Sequence, residues 1–147
     1  MLSNTCKYAI RSLIYLANFS TPAEKIGIKK ISEDLQIPSP FLGKILQSLA
    51  REKVLSSTKG PHGGFSLGRN PEEISLFDIV VHIDGEDYFN NCIIRLEPCS
   101  CYAEEITTCP VHKRFNNLRG DLIAFYQNTS LADIIEDFEI SGEVIQF

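Results

Sequence analysis

The stretch ISEDLQIPSPFLGKILQSLAREKVLSSTKGPHGGFSLG, which runs from Ile31 to Gly68, decides the fold of this chain. Apolar residues at three- and four-residue steps predict a helix from about Ile28 to Leu35 and a second helix from Pro40 to about Lys53. Ser39 is the predicted cap of the second helix, because Pro40 would then occupy the favoured first helical position. Two helices joined by a short proline-containing break are typical of a helix-turn-helix.

The residues that follow indicate which variant of the helix-turn-helix is present. Residues 54–58 and 64–67 predict two strands, and the turn between them is short and rich in glycine. A hairpin in this place is the wing of a winged helix, so the predicted fold class is mainly α with a small β-hairpin. The other helices are predicted to about Phe19 behind a cap at Ser3 or Asn4, over 76–83 behind a Ser75 cap, from Pro110 to about Gln127, and to about Phe138 behind a Ser130 cap.

Charge divides the chain into two unlike halves. Residues 1–70 contain ten Lys and Arg and four acids, whereas residues 71–147 contain four Lys and Arg and fifteen acids. This asymmetry favours contact between the basic half and a polyanion, although a solvated basic surface would give the same count. The predicted organisation is a winged helix-turn-helix DNA-binding domain over 1–84, a cysteine-bearing sensor loop over 85–109, and a dimerisation helix with a C-terminal helix over 110–147.

The predicted DNA-binding surface follows from the geometry of winged helices, in which the second helix of the motif enters the major groove and the wing touches the backbone or minor groove. Lys and Gln side chains reach base edges, and a helix N-terminus favours phosphate. Phe41 is also predicted among the core-facing residues of its helix, and Ser48 among the outward polar ones. The predicted contact residues are Ser39, Phe41, Lys44 and Gln47 on the helix and Lys59, Gly60, His62 and Gly63 at the wing tip.

Two residues of this region have open alternatives. Gly43 lies inside a helix, where glycine is unfavourable by ~0.8–1 kcal/mol relative to alanine, so either close approach to DNA or helix packing must favour it. His62 is either a wing-tip contact or a solvated turn residue. His82 and Cys6, by contrast, are predicted to be structural, Cys6 because it lies on the apolar side of the first helix.

Four of the five cysteines lie within 92–109, and a histidine follows them. Their spacing lacks the paired Cys-x2–4-Cys knuckles of structural zinc sites and fits thiolates around an iron–sulfur cluster, although zinc stays possible. If Pro110 begins the next helix, Cys109 is its cap and has a lowered thiol pKa, and His112 lies on the same helical face. The residues concerned are Cys92, Cys99, Cys101, Cys109 and His112.

Three stretches together resemble the Rrf2 family of bacterial winged-helix transcription regulators: KYAIRSLIYLA, the region from ISEDLQIPSP through the wing to SLFDIV, and CPVH. The pattern is most similar to the iron–sulfur cluster-binding, IscR-like branch. The resemblance implies a homodimer that binds a palindromic operator in double-stranded DNA, with the long C-terminal helix at the dimer interface. The apolar residues of that helix suit such a role, although the same stripe would suit packing within the chain: Val111, Phe115, Leu118, Leu122, Phe125 and Tyr126.

The same resemblance implies the ligands of a cluster, with 2Fe–2S favoured over 4Fe–4S. These are Cys92, Cys109, His112 and one of Cys99 and Cys101. Cys99 is favoured as the middle ligand because it follows Pro98 and leaves the shorter gap to Cys92. The surplus cysteine and the long gap before Cys109 leave this choice and the cluster type open.

The function predicted from the sequence is a dimeric DNA-binding transcriptional regulator, not an enzyme, whose operator binding is controlled by an iron–sulfur cluster. No apolar run reaches the ~18–20 residues of a membrane helix, and the N-terminus lacks the basic leader of a secretory signal, so we expect a cytoplasmic protein without a membrane partner. One alternative keeps the DNA binding but uses zinc or a thiol switch. Another is a cysteine-based redox enzyme using Cys109 and His112, which would leave the winged helix without a role.

Overall fold

The computed structural model describes residues 2–92, Ile94 and residues 111–141. The fold is mainly helical with a two-stranded antiparallel hairpin, which confirms the predicted class. The elements in chain order are α1 (Asn4–Phe19), α2 (Ile28–Leu35), α3 (Ser39–Arg51), β1 (Leu55–Thr58), β2 (Gly64–Leu67), a 3-10 turn (Pro71–Glu73), α4 (Leu76–Asp84), α5 (Asp87–Asn90), α6 (His112–Asn128) and α7 (Leu131–Ser141).

Three serine caps begin helices where the sequence predicts them. The Ser3 Oγ accepts from the Cys6 backbone N–H at 3.0 Å, which resolves the choice between Ser3 and Asn4 as the cap of α1. Ser75 forms a reciprocal capping box with Asp78 at the start of α4. The cap of α7 is Ser130, whose Oγ accepts from a backbone N–H of the first turn at 3.1 Å. Each cap satisfies a backbone donor that would otherwise lack an intrahelical partner.

The predicted bounds of α3 are wrong at both ends. Pro38 is its N-cap, and Ser39 is already the first helical residue, because the Pro38 carbonyl accepts from the N–H groups of Phe41 and Leu42 at 3.0 and 2.9 Å. The helix ends at Arg51 because Lys53 takes a left-handed conformation, with φ 59°, and turns the chain into the wing.

The start of α6 also differs from the prediction. This helix begins at His112 behind Val111, whose carbonyl accepts the Phe115 N–H at 2.9 Å, and not at Pro110. Cys109, the predicted cap, lies outside the described residues, so its predicted role as a cap stays a prediction. The short helix α5 and the 3-10 turn were not predicted, because a single turn is too short to show a helical period.

One buried cluster connects the winged helix to the C-terminal helices. Leu13 and Leu16 of α1, Leu46 of α3 and Leu131 of α7 are all inaccessible to solvent. Cys6 belongs to this cluster, which confirms it as a buried apolar residue; burial, with a smaller effect of the Asp84 charge, raises the pKa of its thiol to about 12. The position of α7 is fixed further by backbone hydrogen bonds across the 3-10 turn, such as Leu131 N–H to Ile74 C=O at 2.8 Å.

The wing contains one element that the sequence did not indicate. β1 and β2 pair in register from Leu55 opposite Leu67 to Thr58 opposite Gly64. Ile26, which precedes α2, pairs with Phe65 of β2, and its N–H and C=O exchange hydrogen bonds of 2.9 Å with that residue. The connector between α1 and α2 (residues 20–27, called the connector below) thus lies along the outer edge of the wing.

Candidate nucleic-acid interface

Helix α3 has one buried side, made by Leu42, Ile45, Leu46 and Leu49, as its apolar period predicts. Phe41 does not belong to this side, and its prediction as a core residue is wrong: 40% of it is exposed. Its ring meets the ring of Tyr8 from α1 edge to face, with centroids 5.8 Å apart. The aromatic pair therefore forms a partly solvated edge between α1 and the start of α3.

The outward side of α3 carries polar groups that can bond to nucleic acid. Lys44 and Gln47 are exposed, and because they are three residues apart they project from the same side of the helix. Ser39 is half-buried in the first turn, where backbone N–H groups favour an anion. The structure thus presents the predicted residues Ser39, Phe41, Lys44 and Gln47 on or beside one solvent-facing surface.

The turn before α3 is closed by local hydrogen bonds. Gln36 caps α2 in a left-handed conformation, with φ 54°. The Ser32 hydroxyl donates to the Ile37 carbonyl at 2.6 Å, and the Ile37 N–H donates to the Ser32 carbonyl at 3.1 Å. These two hydrogen bonds close the turn between the two helices.

Gly43 is explained by the packing of α2 on α3. The glycine is buried, and a β-carbon at this position would lie 3.1 Å from Cδ1 of Ile28. Of the two alternatives for this residue, helix packing is therefore the one that its position supports.

The wing tip exposes Lys59, Gly60 and His62, and Gly63 is half-buried behind them. Its glycines are required by the turn itself. Gly60 has φ +115°, and a β-carbon on Gly63 would lie 2.2 Å from the carbonyl oxygen of Thr58. The turn leaves the Lys59 side chain directed to solvent, and neither Lys59 nor Lys44 makes an ion pair within the described part of the chain.

Ser48 faces α4 and not solvent, so its prediction as an outward polar residue is wrong. Its Oγ lies 2.8 Å from Nε2 of His82, and both residues are half-buried. This hydrogen bond confirms the structural role predicted for His82. It also anchors the C-terminal half of α3 on the helix behind it.

Of the predicted metal ligands, Cys92 is the one whose side chain the structure describes. It is half-buried and follows Asn91, the C-cap of α5. The backbone carbonyl of Asn91 accepts a hydrogen bond of 3.1 Å from the guanidinium of Arg119 in α6. Arg119 is 8% exposed, and its guanidinium carbon lies 5.1 Å from the ring centroid of Phe115. Arg119 thus ties the start of the cysteine segment to α6.

Most of the predicted metal site lies outside the part of the chain that the structure describes. Cys99, Cys101 and Cys109 lie outside the described residues, and of His112 the backbone alone is described. Within the described ranges no three His, Cys, Asp or Glu side chains converge on a metal position. The ligand set therefore stays a prediction.

The apolar residues of α6 divide between two sides. Ile123 and Tyr126 pack on the core, and the Tyr126 ring lies 5.3 Å from that of Phe89. Tyr126 therefore does not belong to the outward stripe predicted for it. The residues that remain exposed form a stripe with steps of four and three: Leu118 (61%), Leu122 (37%) and Phe125 (57%). Such spacing is typical of helices that pair along their length.

Comparisons with known proteins agree with this geometry. The sequence pattern of the Rrf2 family, described as "Iron-dependent Transcriptional regulator", matches residues 2–137. A protein of Aquifex aeolicus named as an HTH-type transcriptional regulator is 32% identical over 136 residues, which cover 92% of this chain and 91% of the relative. Both cover nearly the whole chain, from α1 into α7.

Solved structures give the same result for the fold. CymR of B. subtilis superposes with a TM-score of 0.74 at 18% identity, over 93% of this chain and 97% of its own. IscR of T. potens superposes with a TM-score of 0.73 at 19% identity, over 98% of this chain and 92% of its own. At such identities these likenesses concern the fold alone.

In the described part of the chain, none of the helices combines the length and apolar content that a membrane crossing requires.

Proposed function

The chain belongs to the Rrf2 family of transcriptional regulators, and from this premise we propose that it binds a palindromic DNA operator as a homodimer under the control of an iron–sulfur cluster. The observation that carries the proposal is the outward side of α3, where Lys44 and Gln47 stand beside an exposed Phe41. The matching proteins are transcriptional regulators, which agrees with the expectation that the chain is not an enzyme.

DNA recognition divides between α3 and the wing. Lys44 and Gln47 reach base edges in the major groove, where lysine bonds to guanine and glutamine to adenine. Ser39, in the first helical turn, and Lys59, His62 and the backbone of the wing tip contact phosphates, which position the protein without reading sequence. Phe41 offers an apolar edge that suits a thymine methyl group.

Dimerisation follows from the exposed stripe of α6. Leu118, Leu122 and Phe125 would lose their contact with water against the same stripe of a second chain, and burying such side chains is favourable by ~25 cal/mol per Å². In such a dimer the α3 helices of the two chains would fit an operator whose two half-sites lie about one turn of the DNA helix apart.

The proposed sensor is the segment from Cys92 to His112. Three thiolates and one imidazole are a donor set that suits iron–sulfur ligation, and the half-buried Cys92 fits it as the first ligand. When bound, such a cluster supplies an iron centre whose state depends on oxidants, on iron supply or on nitric oxide. Cys92, Cys109, His112 and one of Cys99 and Cys101 would hold such a cluster, and its gain or loss would change the population of DNA-competent dimers.

An anaerobic absorption spectrum of the purified protein, with iron and sulfide analysis, tests the cofactor. Iron and acid-labile sulfide with visible charge-transfer bands support the cluster. Stoichiometric zinc without sulfide, or no metal with a reversible thiol titration, would assign control to zinc or to a thiol switch. Competition of an operator fragment against random duplex tests the DNA-binding half independently, because it can be done with the metal-free protein too.

A further inference from the structure

The connector between α1 and α2 makes more contacts with the wing than the backbone pairing of Ile26 and Phe65. The ammonium group of Lys25 donates to the Ser56 hydroxyl and to the Thr58 hydroxyl, and each distance is 2.7 Å. Ser56 and Thr58 are alternate residues of β1 and therefore project from the same side of the strand. One half-buried lysine thus connects the second and the last residue of a four-residue strand to the connector.

This arrangement concerns the wing tip directly. Thr58 is the last residue of β1, and Lys59 follows it in the exposed turn. A two-stranded hairpin is only marginally stable on its own in water, so the direction of its tip depends on what it packs against. The connector leads into α2, which packs on α3 through Ile28 and Gly43, so the lysine links the wing to the helix pair.

We propose that Lys25 is a positioning residue for DNA binding, which fixes the wing relative to α3 through the Ser56 and Thr58 hydroxyls. The inference rests on the proposed DNA-binding function. Two of the three ammonium hydrogens are directed at β1, so the lysine acts through the wing and not as a phosphate contact of its own. Its loss should therefore weaken the contribution of Lys59 to binding.

The test is a double-mutant cycle on operator affinity, measured with the full-length protein. Lys25→Met removes the donor and keeps most of the side-chain volume, and Ser56→Ala with Thr58→Val removes the two acceptors. We expect each change to weaken operator binding roughly fivefold, the size expected when such hydrogen bonds are lost, and the combined variant to be no weaker than either. We also expect Lys59→Ala to have a smaller effect in a Lys25→Met background than in the parent.

Ser130→Ala is the matched control, because it removes a helix cap far along the chain from the wing. It should lower thermal stability without changing operator affinity at a temperature where the protein is folded. The inference would be overturned if Lys25→Met bound the operator like the parent. It would also be overturned if the losses of operator affinity from Lys25→Met and from the hydroxyl variant were additive in the combined variant. A Lys25→Met variant that lowers the salt slope by one counterion while the hydroxyl variant binds normally would overturn it as well, since the lysine would then contact phosphate directly.

Failure of the inference is distinguishable from failure of the proposed function. If Lys44→Ala and Lys59→Ala weaken operator binding and Lys25→Met does not, the DNA-binding surface stands and the role of Lys25 is rejected. If none of the three weakens it, the proposed surface is rejected together with the inference.

Discussion

A β-carbon on Gly43 of α3 would lie 3.1 Å from Cδ1 of Ile28 in α2, so the two helices are in close contact at a residue that has no side chain. The contact lies in the interface between α2 and α3, one residue before the exposed Lys44. Glycine is unfavourable in a helix, and here close packing against Ile28 accounts for it.

A large side chain in place of Gly43 should separate the helices. We expect Gly43→Leu to lower the free energy of unfolding by ~1–3 kcal/mol, as overpacking of a filled core usually does. The control is Gln47→Leu, which adds the same side chain one turn later at an exposed position and should change stability by no more than ~0.5 kcal/mol. Urea unfolding followed by circular dichroism measures both; equal losses for the two variants would contradict the packing role.

Substitutions of Lys59 and Lys44 should change DNA binding in different ways. Lys59→Ala at the wing tip should weaken operator and random duplex alike and reduce the salt slope by about one counterion, because a phosphate contact carries no sequence information. Lys44→Ala should weaken operator binding by ~1–3 kcal/mol and change random binding less, since it loses a base contact. Titrations at several salt concentrations separate the effects. Parental operator affinity in both variants would show that the DNA surface lies elsewhere.

A charge in the apolar stripe of α6 should prevent assembly. We expect Leu122→Glu to sediment as a monomer and to bind the operator ~100-fold or more weakly. The reason is that the two DNA-binding surfaces of a dimer bind with an avidity that a monomer lacks. Asn117→Glu introduces the same carboxylate at an exposed polar position of the same helix and should leave the assembly unchanged. A dimeric Leu122→Glu protein would place the interface on another surface.

The cap of α7 predicts an acid-dependent loss of stability. Hydrogen bonds from the Ser130 hydroxyl and then from its backbone N–H lower the pKa of Asp133 in the folded chain. The cap therefore stabilises the fold at pH values above the ordinary carboxyl range, ~4, and this contribution is lost as the pH falls through the lowered folded-state pKa. Asp133→Asn should reduce the melting temperature at pH 7 and have a much smaller effect near pH 2.

Asp121→Asn is the control for the cap, because it removes one exposed carboxylate from α6. Its melting temperature should follow that of the parent at both pH values. A loss for Asp133→Asn that is the same at pH 7 and pH 2 would show that the carboxylate charge does not contribute to the cap.

Local rules predicted most of this fold. Ser3, Ser75 and Ser130 cap helices where the sequence places them, because a side-chain oxygen and three following backbone positions suffice to define a cap. The start of α3 was predicted one residue late because Ser39 has the stronger preference for a cap, whereas the chain uses the carbonyl of Pro38.

Long-range contacts account for the remaining differences. Apolar period indicates a helix side but not what covers it, so it placed Phe41 in the core and Tyr126 on the outward stripe. The pairing of Ile26 with Phe65 joins positions far apart in sequence, and a single paired residue leaves no strand-like pattern. Lys25 was missed for the same reason: nothing in the sequence around a lysine in a loop indicates the two hydroxyls that it meets.

The last prediction concerns which cysteines of PCSCYAEEITTCPVH bind metal. Cys99 and Cys101 are alternate residues, which an extended segment would place on the same side, so the choice between them depends on the chain around them. Cys99 follows Pro98, which restricts the chain that enters it. We therefore expect Cys99→Ala to lose the cluster after anaerobic reconstitution, and Cys101→Ala, its matched control two residues away, to keep most of its iron and sulfide.

His112 gives this assignment a second measurement. It begins α6, so its backbone is held by the helix even when the cysteine segment carries no metal. We expect His112→Ala to retain a weakened cluster with shifted visible bands, because water or the surplus thiol of Cys101 can take the vacant place. A Cys101→Ala protein that cannot be reconstituted, beside a Cys99→Ala protein that can, would exchange the two roles. If every cysteine variant holds as much iron and sulfide as the parent, the segment is not the metal site, and the control of DNA binding must be sought outside it.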